Sequence, residues 1–176
     1  MTFFAKHMRH ILRTLLQQGL LRIRFRGLAG VGSDLKCHGP VVLLGRDKIT
    51  FGDRISIAGF LHIWGHGGGV IGNDVLIASH VAITSVSHDP TATKFSAKNL
   101  LLPTMIGDNV WIGSHAFINA GVEIGSNSIV AAGAVVLSDV PSNSVAGGIP
   151  AKVLRHRENS GETLATMLPT SKSNVP

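Results

Sequence analysis

Apolar residues recur along this chain at intervals of six. Starting at Ile106 and stepping by six gives Ile106, Ile112, Ile118, Ile124, Val130 and Val136, all β-branched aliphatics. Four residues after each of these anchors stands Val110, Ala116, Val122, Ser128, Ala134 or Val140, all small or branched. Gly107, Gly113 and Gly125 directly follow three of the anchors. An earlier run, Ile71-Ile77-Ile83, keeps the same grammar, with Gly72 after its first anchor and Val75 and Val81 four residues on. Two more runs precede it, Phe51-Ile57-Ile63 and Val31-Cys37-Leu43-Ile49. A period of six fits neither an α-helix nor a coiled coil. It suits a short flat strand followed by a tight corner, with the anchor inward and a Gly or polar residue permitting the bend. Three such hexads close a triangular coil, and coils stack as parallel strands about 4.8 Å apart. The pattern predicts an all-β parallel β-helix.

The ends of the chain follow other rules. Residues 3–21 read as an amphipathic helix, with Phe4, Met8, Ile11, Leu12, Leu15 and Leu16 at helical spacing. Lys6, Arg9, Arg13, Gln17 and Gln18 lie elsewhere on the wheel. The run Arg22-Ile23-Arg24-Phe25-Arg26 alternates like a strand. The expected organisation is a helix and lead-in over 1–27, the repeat domain over 28–156, and a mobile polar tail over 157–176. The early Lys and Arg residues before Leu15 and Leu16 resemble the start of a leader. Gln17, Gln18 and Arg22 break that apolar run, so the segment reads as retained.

The repeat breaks once on a larger scale. Ile83 and Ile106 are 23 residues apart, which is no multiple of six. A loop over 84–105 is therefore expected to leave the coil. It carries Ser85, Ser87, His88, Asp89, Pro90, Lys94 and Lys98. A long excursion from a regular solenoid is a natural place for function.

Composition narrows the choices. Apolar residues make up 44% and charged residues 15%, so the chain has the means to bury a core. Aromatics are 5%, with no Tyr, too few for a binder that stacks nucleic-acid bases. The single cysteine, Cys37, excludes an intrachain disulfide framework and any multi-cysteine zinc site, and fits a reducing compartment. A formal charge of +6 points to an anionic partner: a phosphorylated small molecule or a membrane surface. The apolar stretches fall short of the roughly 20 residues a membrane span requires.

The segments IGNDVLIASHVAI, IGDNVWIGSHAFINAGVEIGSNSIVAAGAVV and SNSVAGGIPAKVLR resemble the hexapeptide-repeat acyltransferases. They are most similar to the branch holding galactoside, maltose and nodulation-factor acetyltransferases and surface-polysaccharide O-acetyltransferases. The resemblance covers residues 70–156, and residues 28–69 match in period. It implies a left-handed parallel β-helix with an extruded catalytic loop, a homotrimer, and acetyl-CoA as donor with no metal. The left hand comes from the resemblance alone, since parallel crossovers generally favour the right.

The resemblance also implies roles. His88 matches the family's general base, and a neutral imidazole suits removal of a hydroxyl proton. Ser114 matches the residue whose backbone N–H faces the thioester oxygen, and Ala132 the position beside the pantetheine arm. Leu137 and Ser138 stand where the family has Thr and Lys, which leaves only their backbones for contact. Arg155 matches a basic residue near the nucleotide phosphate. From their chemistry alone, Gly147 and Gly148 permit close backbone approach, and Lys152 and Arg155 offer charge-assisted bonds to phosphate. The family's sugar-binding Asn and Asp correspond here to Ala58 and His66. Trp64, His66 and Asp89 are candidate acceptor residues, and with Phe60, Trp64, His66 and the basic amphipathic helix the expectation moves from a free disaccharide to a larger glycan, lipid-linked and at the cytoplasmic membrane face. Trp111 is expected to pack under the loop.

The function expected is O-acetyl transfer from acetyl-CoA to a sugar hydroxyl in lipopolysaccharide or other surface-polysaccharide assembly, in the cytoplasm. Two alternatives stay open. His80 and His115 fall 35 residues apart at equivalent positions, which suggests a zinc hydratase like the hexapeptide-repeat carbonic anhydrases. Catalytic zinc needs a third protein ligand, and Ala120 stands at the place expected for it. The other alternative is a non-catalytic β-helix scaffold.

Overall fold

The computed structural model describes residues 25–157; the amphipathic segment 3–21 and most of the polar tail lie outside them. The described chain winds into a three-sided parallel β-solenoid. The first coil is β1 (Gly30–Val31), β2 (Lys36–Cys37) and β3 (Val41–Leu44). The second is β4 (Ile49–Phe51), β5 (Ser56–Ile57) and β6 (Leu61–Trp64), and the third β7 (Gly69–Ile71), β8 (Leu76–Ile77) and β9 (Ala82–Thr84). An antiparallel hairpin, β10 (Val86–His88) and β11 (Asn99–Leu101), interrupts the winding. The fourth coil is β12 (Thr104–Ile106), β13 (Trp111–Ile112) and β14 (Phe117–Ile118), and the fifth β15 (Glu123–Ile124), β16 (Ile129–Val130) and β17 (Val135–Val136). A final hairpin, β18 (Ser144–Gly148) and β19 (Ala151–His156), closes the C-terminal end. Face A stacks β1-β4-β7-β12-β15, face B stacks β2-β5-β8-β13-β16-β18-β19, and face C stacks β3-β6-β9-β14-β17. Among the described residues no helix is long and apolar enough to cross a membrane.

The anchors form columns. On face B, Ile57, Ile77, Ile112, Val130 and Ala146 lie in register, each no more than 1% exposed. Burying one such side chain contributes on the order of 1.5–3 kcal/mol. Most residues four after an anchor are buried as well, among them Ile55, Leu61, Val75, Val81, Val110 and Val122, so most sides of the triangle put two apolar groups inside, with Ser128 a buried polar exception. Val31 departs from the expectation at 46% exposed, because among the described residues its strand β1 has a neighbouring strand, β4, on one side only.

The coils are not uniform. From Val31 to Phe51 and from Phe51 to Ile71 each coil takes 20 residues, against 18 from Ile106 to Ile124. The two additional residues sit at the corner between faces C and A. In the first coil, Gly45 adopts a left-handed φ of 66° and starts a 3-10 turn over Arg46–Lys48. In the second, the chain passes through Gly65 to Gly68. The excursion after β9 leaves from this same corner. It covers 85–103, shorter than expected, because Thr104 already belongs to face A.

The corner between faces A and B is a polar ladder. Asp53 Oδ1 accepts from the Ser33 N–H and hydroxyl, Asn73 Oδ1 from the Asp53 N–H, and Asp108 Oδ1 from the Asn73 N–H. Each side chain satisfies a backbone donor of the coil before it. Arg54 donates to both carboxylate oxygens of Asp74 at 2.6 and 2.7 Å. The bonds from Ser33 hold the Asp53 carboxyl below the ordinary carboxylate value of 3.8, and the guanidinium of Arg54 does the same for Asp74. A carboxyl depressed in the folded state stabilises it when ionised. That contribution is present above the unfolded pKa of 3.8 and is lost as pH falls through the lower folded value. Thermal melts between about pH 2 and 6 should therefore fall more steeply on the acid side for wild type than for Asp74→Asn. Equal acid slopes would contradict this.

Candidate active site

The C/A corner at the third coil builds a cavity of about 800 Å³. Its lining includes Lys48, Trp64, His66, His88, Asn99 and Asn119. Several buried bonds fix the neck of the extruded loop. Ser85, 2% exposed, donates its hydroxyl to the Trp64 carbonyl and accepts from the Gly67 N–H, both at 2.9 Å. The Ser85 carbonyl accepts from the Leu102 N–H at 2.9 Å, which ties the outgoing and returning strands together. Thr104 donates its hydroxyl to the buried Thr84 carbonyl at 2.7 Å. The neck leads into β10 and β11, which pair antiparallel with His88 opposite Asn99. His88 thus stands exposed at the end of a short, braced hairpin, on the rim of the cavity.

The sequence-derived acceptor residues divide. Trp64 and His66 line the cavity with His88. Ala58 lies at the B/C corner, beside Gly59, and does not line it. Asp89 also lies outside the lining. It accepts from the Thr91 hydroxyl at 2.6 Å and the Thr91 N–H at 2.9 Å. Those bonds hold its carboxyl below the ordinary range and make it a turn-former. Lys48, Asn99, Phe117 and Asn119 are lining residues that the sequence reading did not single out. Three of the four follow the repeat. Phe117 and Asn119 flank the anchor Ile118, and Lys48 precedes Ile49, so their outward positions at this corner were legible in the period.

The donor candidates gather on another edge. Two residues past the column positions Ile112 and Val130, Ser114 and Ala132 lie at successive B/C corners, while Gly148, two past Ala146, ends β18 opposite Ala151 in the terminal hairpin. The Ser114 N–H takes no hydrogen-bond partner within the described chain, and the Ser114 carbonyl accepts from the Gly133 N–H at 2.8 Å. A Cβ on Gly113 would stand 2.5 Å from the Ala132 nitrogen, so only Gly lets these corners close up. Lys152 pairs opposite Gly147, and Arg155 opposite Val145, at the C-terminal end of this edge. Leu137 and Ser138 are exposed beyond β17, at the C/A corner on the far side of face C.

Two histidines from the sequence meet as expected on neighbouring coils. His80 and His115 stack at 4.7 Å with their planes 10° apart, and Phe60 stacks on His80 at 4.6 Å. Parallel rings do not converge their nitrogens on one point. No group of three metal-ligating side chains occurs among the described residues. Trp111 is a correction: it sits on the outer surface of face B between Leu76 and Ile129, 49% exposed, not under the loop. The loop leaves from the C/A corner, and by position 111 the chain has already crossed face A.

Ser114 lies where the chain enters face C, and the His88 loop springs from where it leaves. Ser114 and His115 make the turn at the B/C corner, closed by the Ala116 N–H donating to the Gly113 carbonyl at 3.3 Å, and β14 carries the chain across face C to Asn119.

Residues 103–138 match the model of the family described as "Bacterial transferase hexapeptide (six repeats)". The galactoside O-acetyltransferase of Escherichia coli (strain K12) is 44% identical over 86 residues, 48% of this chain and 42% of that protein. The chain thus spans under half of that relative's length. A putative lipopolysaccharide biosynthesis O-acetyl transferase, WbbJ, of the same organism is 32% identical over 121 residues, 63% of this chain and 62% of that protein. Among solved structures, a hexapeptide-repeat containing acetyltransferase of Vibrio cholerae O1 biovar eltor, complexed with acetyl coenzyme A, superposes with a TM-score of 0.74. It is 30% identical, over 79% of this chain and 76% of that one. The six-residue columns, the three-faced solenoid and this likeness along most of both chains agree: the chain belongs to the hexapeptide-repeat acetyltransferase family.

Proposed function

We propose that this protein transfers an acetyl group from acetyl-CoA to a sugar hydroxyl of a surface glycan, in lipopolysaccharide or other polysaccharide assembly. The observation that carries the reading is His88, held on a braced hairpin at the rim of a cavity that contains Trp64 and His66. The thioester lies at the Ser114 N–H, the pantetheine arm runs past Ala132 and Gly148, and Lys152 and Arg155 meet the phosphates. His88 takes the proton from the acceptor hydroxyl as its oxygen attacks the thioester carbonyl. The Ser114 N–H stabilises the oxyanion, which collapses with loss of CoA thiolate. The thiolate takes up a proton to leave as free CoA, and the acetyl ester remains on the sugar.

His88 and Ser114 stand on different edges, so the site lies between copies of the chain. The functional unit is a homotrimer, cytoplasmic, with its acceptor presented at the membrane face. Light scattering should give a threefold oligomer, and a stable, fully active monomer would contradict this. The segment 3–21 either caps the open first coil or holds the protein at anionic lipid, where each Lys or Arg contributes on the order of 1 kcal/mol. Full-length protein that ignores anionic vesicles at low salt would remove the lipid reading. For the activity itself, release of CoA thiol from acetyl-CoA in the presence of host glycan is the assay. Mass spectrometry of surface glycans with and without the protein identifies the acceptor. Unchanged acetylation would contradict the proposal.

A further inference from the structure

The cavity beside His88 carries positive charge and no negative charge. Among the described residues Lys48, His66 and His88 are its ionisable lining residues, and no Asp or Glu lines it. Lys48 comes from the 3-10 turn over Arg46–Lys48, formed by the two-residue enlargement of the first coil. Its ammonium donates to the His66 carbonyl at 3.0 Å, which holds it over the cavity. It makes no ion pair among the described residues, and two of its three N–H donors remain free. Trp64 is 48% exposed on the same lining, and His62 backs its ring at a centroid distance of 4.4 Å. A supported, half-exposed indole offers a flat apolar surface to the C–H face of a pyranose ring. The amides of Asn99 and Asn119 supply donors and acceptors for hydroxyls. A neutral sugar uses the ring surface and the amides but leaves the Lys48 charge unmatched.

We infer that the acceptor is an anionic sugar, a pyranose bearing a carboxylate or phosphate, with its ring on Trp64 and its charge on Lys48. This rests on the transferase reading in so far as the accepting hydroxyl is the one that reaches His88. A charge-assisted bond of this kind is stronger than a neutral one and more geometrically demanding. Lys48 is therefore a specificity-determining residue.

The test uses the full-length protein carrying Trp111→Phe, which leaves Trp64 as the only tryptophan of the two. Its emission is titrated with methyl β-D-glucuronide, α-D-glucose 1-phosphate and neutral methyl β-D-glucoside. At least one anionic probe should bind about tenfold tighter than the neutral one. Lys48→Met should erase the difference, and Lys48→Arg should keep it. The stronger of the two anions tells carboxylate from phosphate. Equal affinities, a preference that survives in Lys48→Met, or no response to either anion up to about 10 mM would overturn the inference. CoA release from acetyl-CoA in the presence of host glycan, measured on the same variants, separates the two readings. Anion selectivity without CoA release on host glycan leaves an anionic-sugar site at Trp64 and Lys48 standing and removes the transferase proposal, whereas CoA release without anion selectivity does the reverse.

Discussion

Replacing His88 with Ala is expected to lower kcat by about 10²–10⁴ while acetyl-CoA affinity stays nearly unchanged. The side chain is exposed at the end of β10. Its removal leaves no buried partner unsatisfied and should not move the melting temperature. The effect belongs to proton transfer alone, so the loss should appear in kcat and leave the donor's binding curve in place. Activity within a few-fold of wild type would put the base elsewhere. Lys94 on the same loop would then be the next residue to test, since Asp89 is already engaged by Thr91.

Gly67→Ala is expected to damage both fold and activity. A Cβ at this position would overlap the Ser85 carbonyl oxygen and stand 2.8 Å from the Leu102 nitrogen. Both are backbone atoms at the neck of the loop, so no side chain can swing away to make room. Relief comes from parting the outgoing and returning strands or from pulling the Gly65–Gly68 corner off the neck, and either loosens the bonds at Ser85 that brace β10. Overpacking of this kind costs about 1–3 kcal/mol, and a hairpin displaced by about 1 Å loses about 10² in rate. Gly69→Ala is the control, two residues on, where a new Cβ meets only the Ile49 side chain at 3.8 Å. Melting temperature and CoA release should fall sharply in the first variant and little in the second. Parallel behaviour of the two would contradict the role given to the neck.

The columns of buried residues were legible because a six-residue period has one structural solution, and each anchor reports its own burial. Val31 shows the limit. The period marks which way a side chain points but not whether a coil covers it from the other side. The breaks between Ile49 and Phe51 and between Ile63 and Ile71 were visible in the sequence as changes of phase. Their meaning was not, since only the stacking shows that both fall at the corner from which the His88 loop later emerges. His88 itself came from resemblance, and the hairpin that carries it was hidden because β10 and β11 are short and half polar. Trp111 was misplaced for a related reason. Nearness in sequence to the end of the loop suggested contact, whereas each corner turns the chain onto a different face. Lys48 went unremarked because its importance lies in what the second and third coils set beside it. His66 and Trp64 come from one coil and His88 from the excursion of the next.

In the proposed reaction, acetyl transfer occurs at a site shared by two chains, His88 from one and the Ser114–Ala132 edge from the other. Mixed oligomers test it most directly. His88→Ala removes the base, and Ala132→Phe blocks the donor edge while leaving the base intact. Each variant alone should be inactive. Co-expressed in equal amounts, they should recover about a quarter of wild-type CoA release, since half the sites offer an intact base and half of those meet an intact edge. A mixture as inactive as its parents, although mass spectrometry shows mixed oligomers, would contradict the shared site.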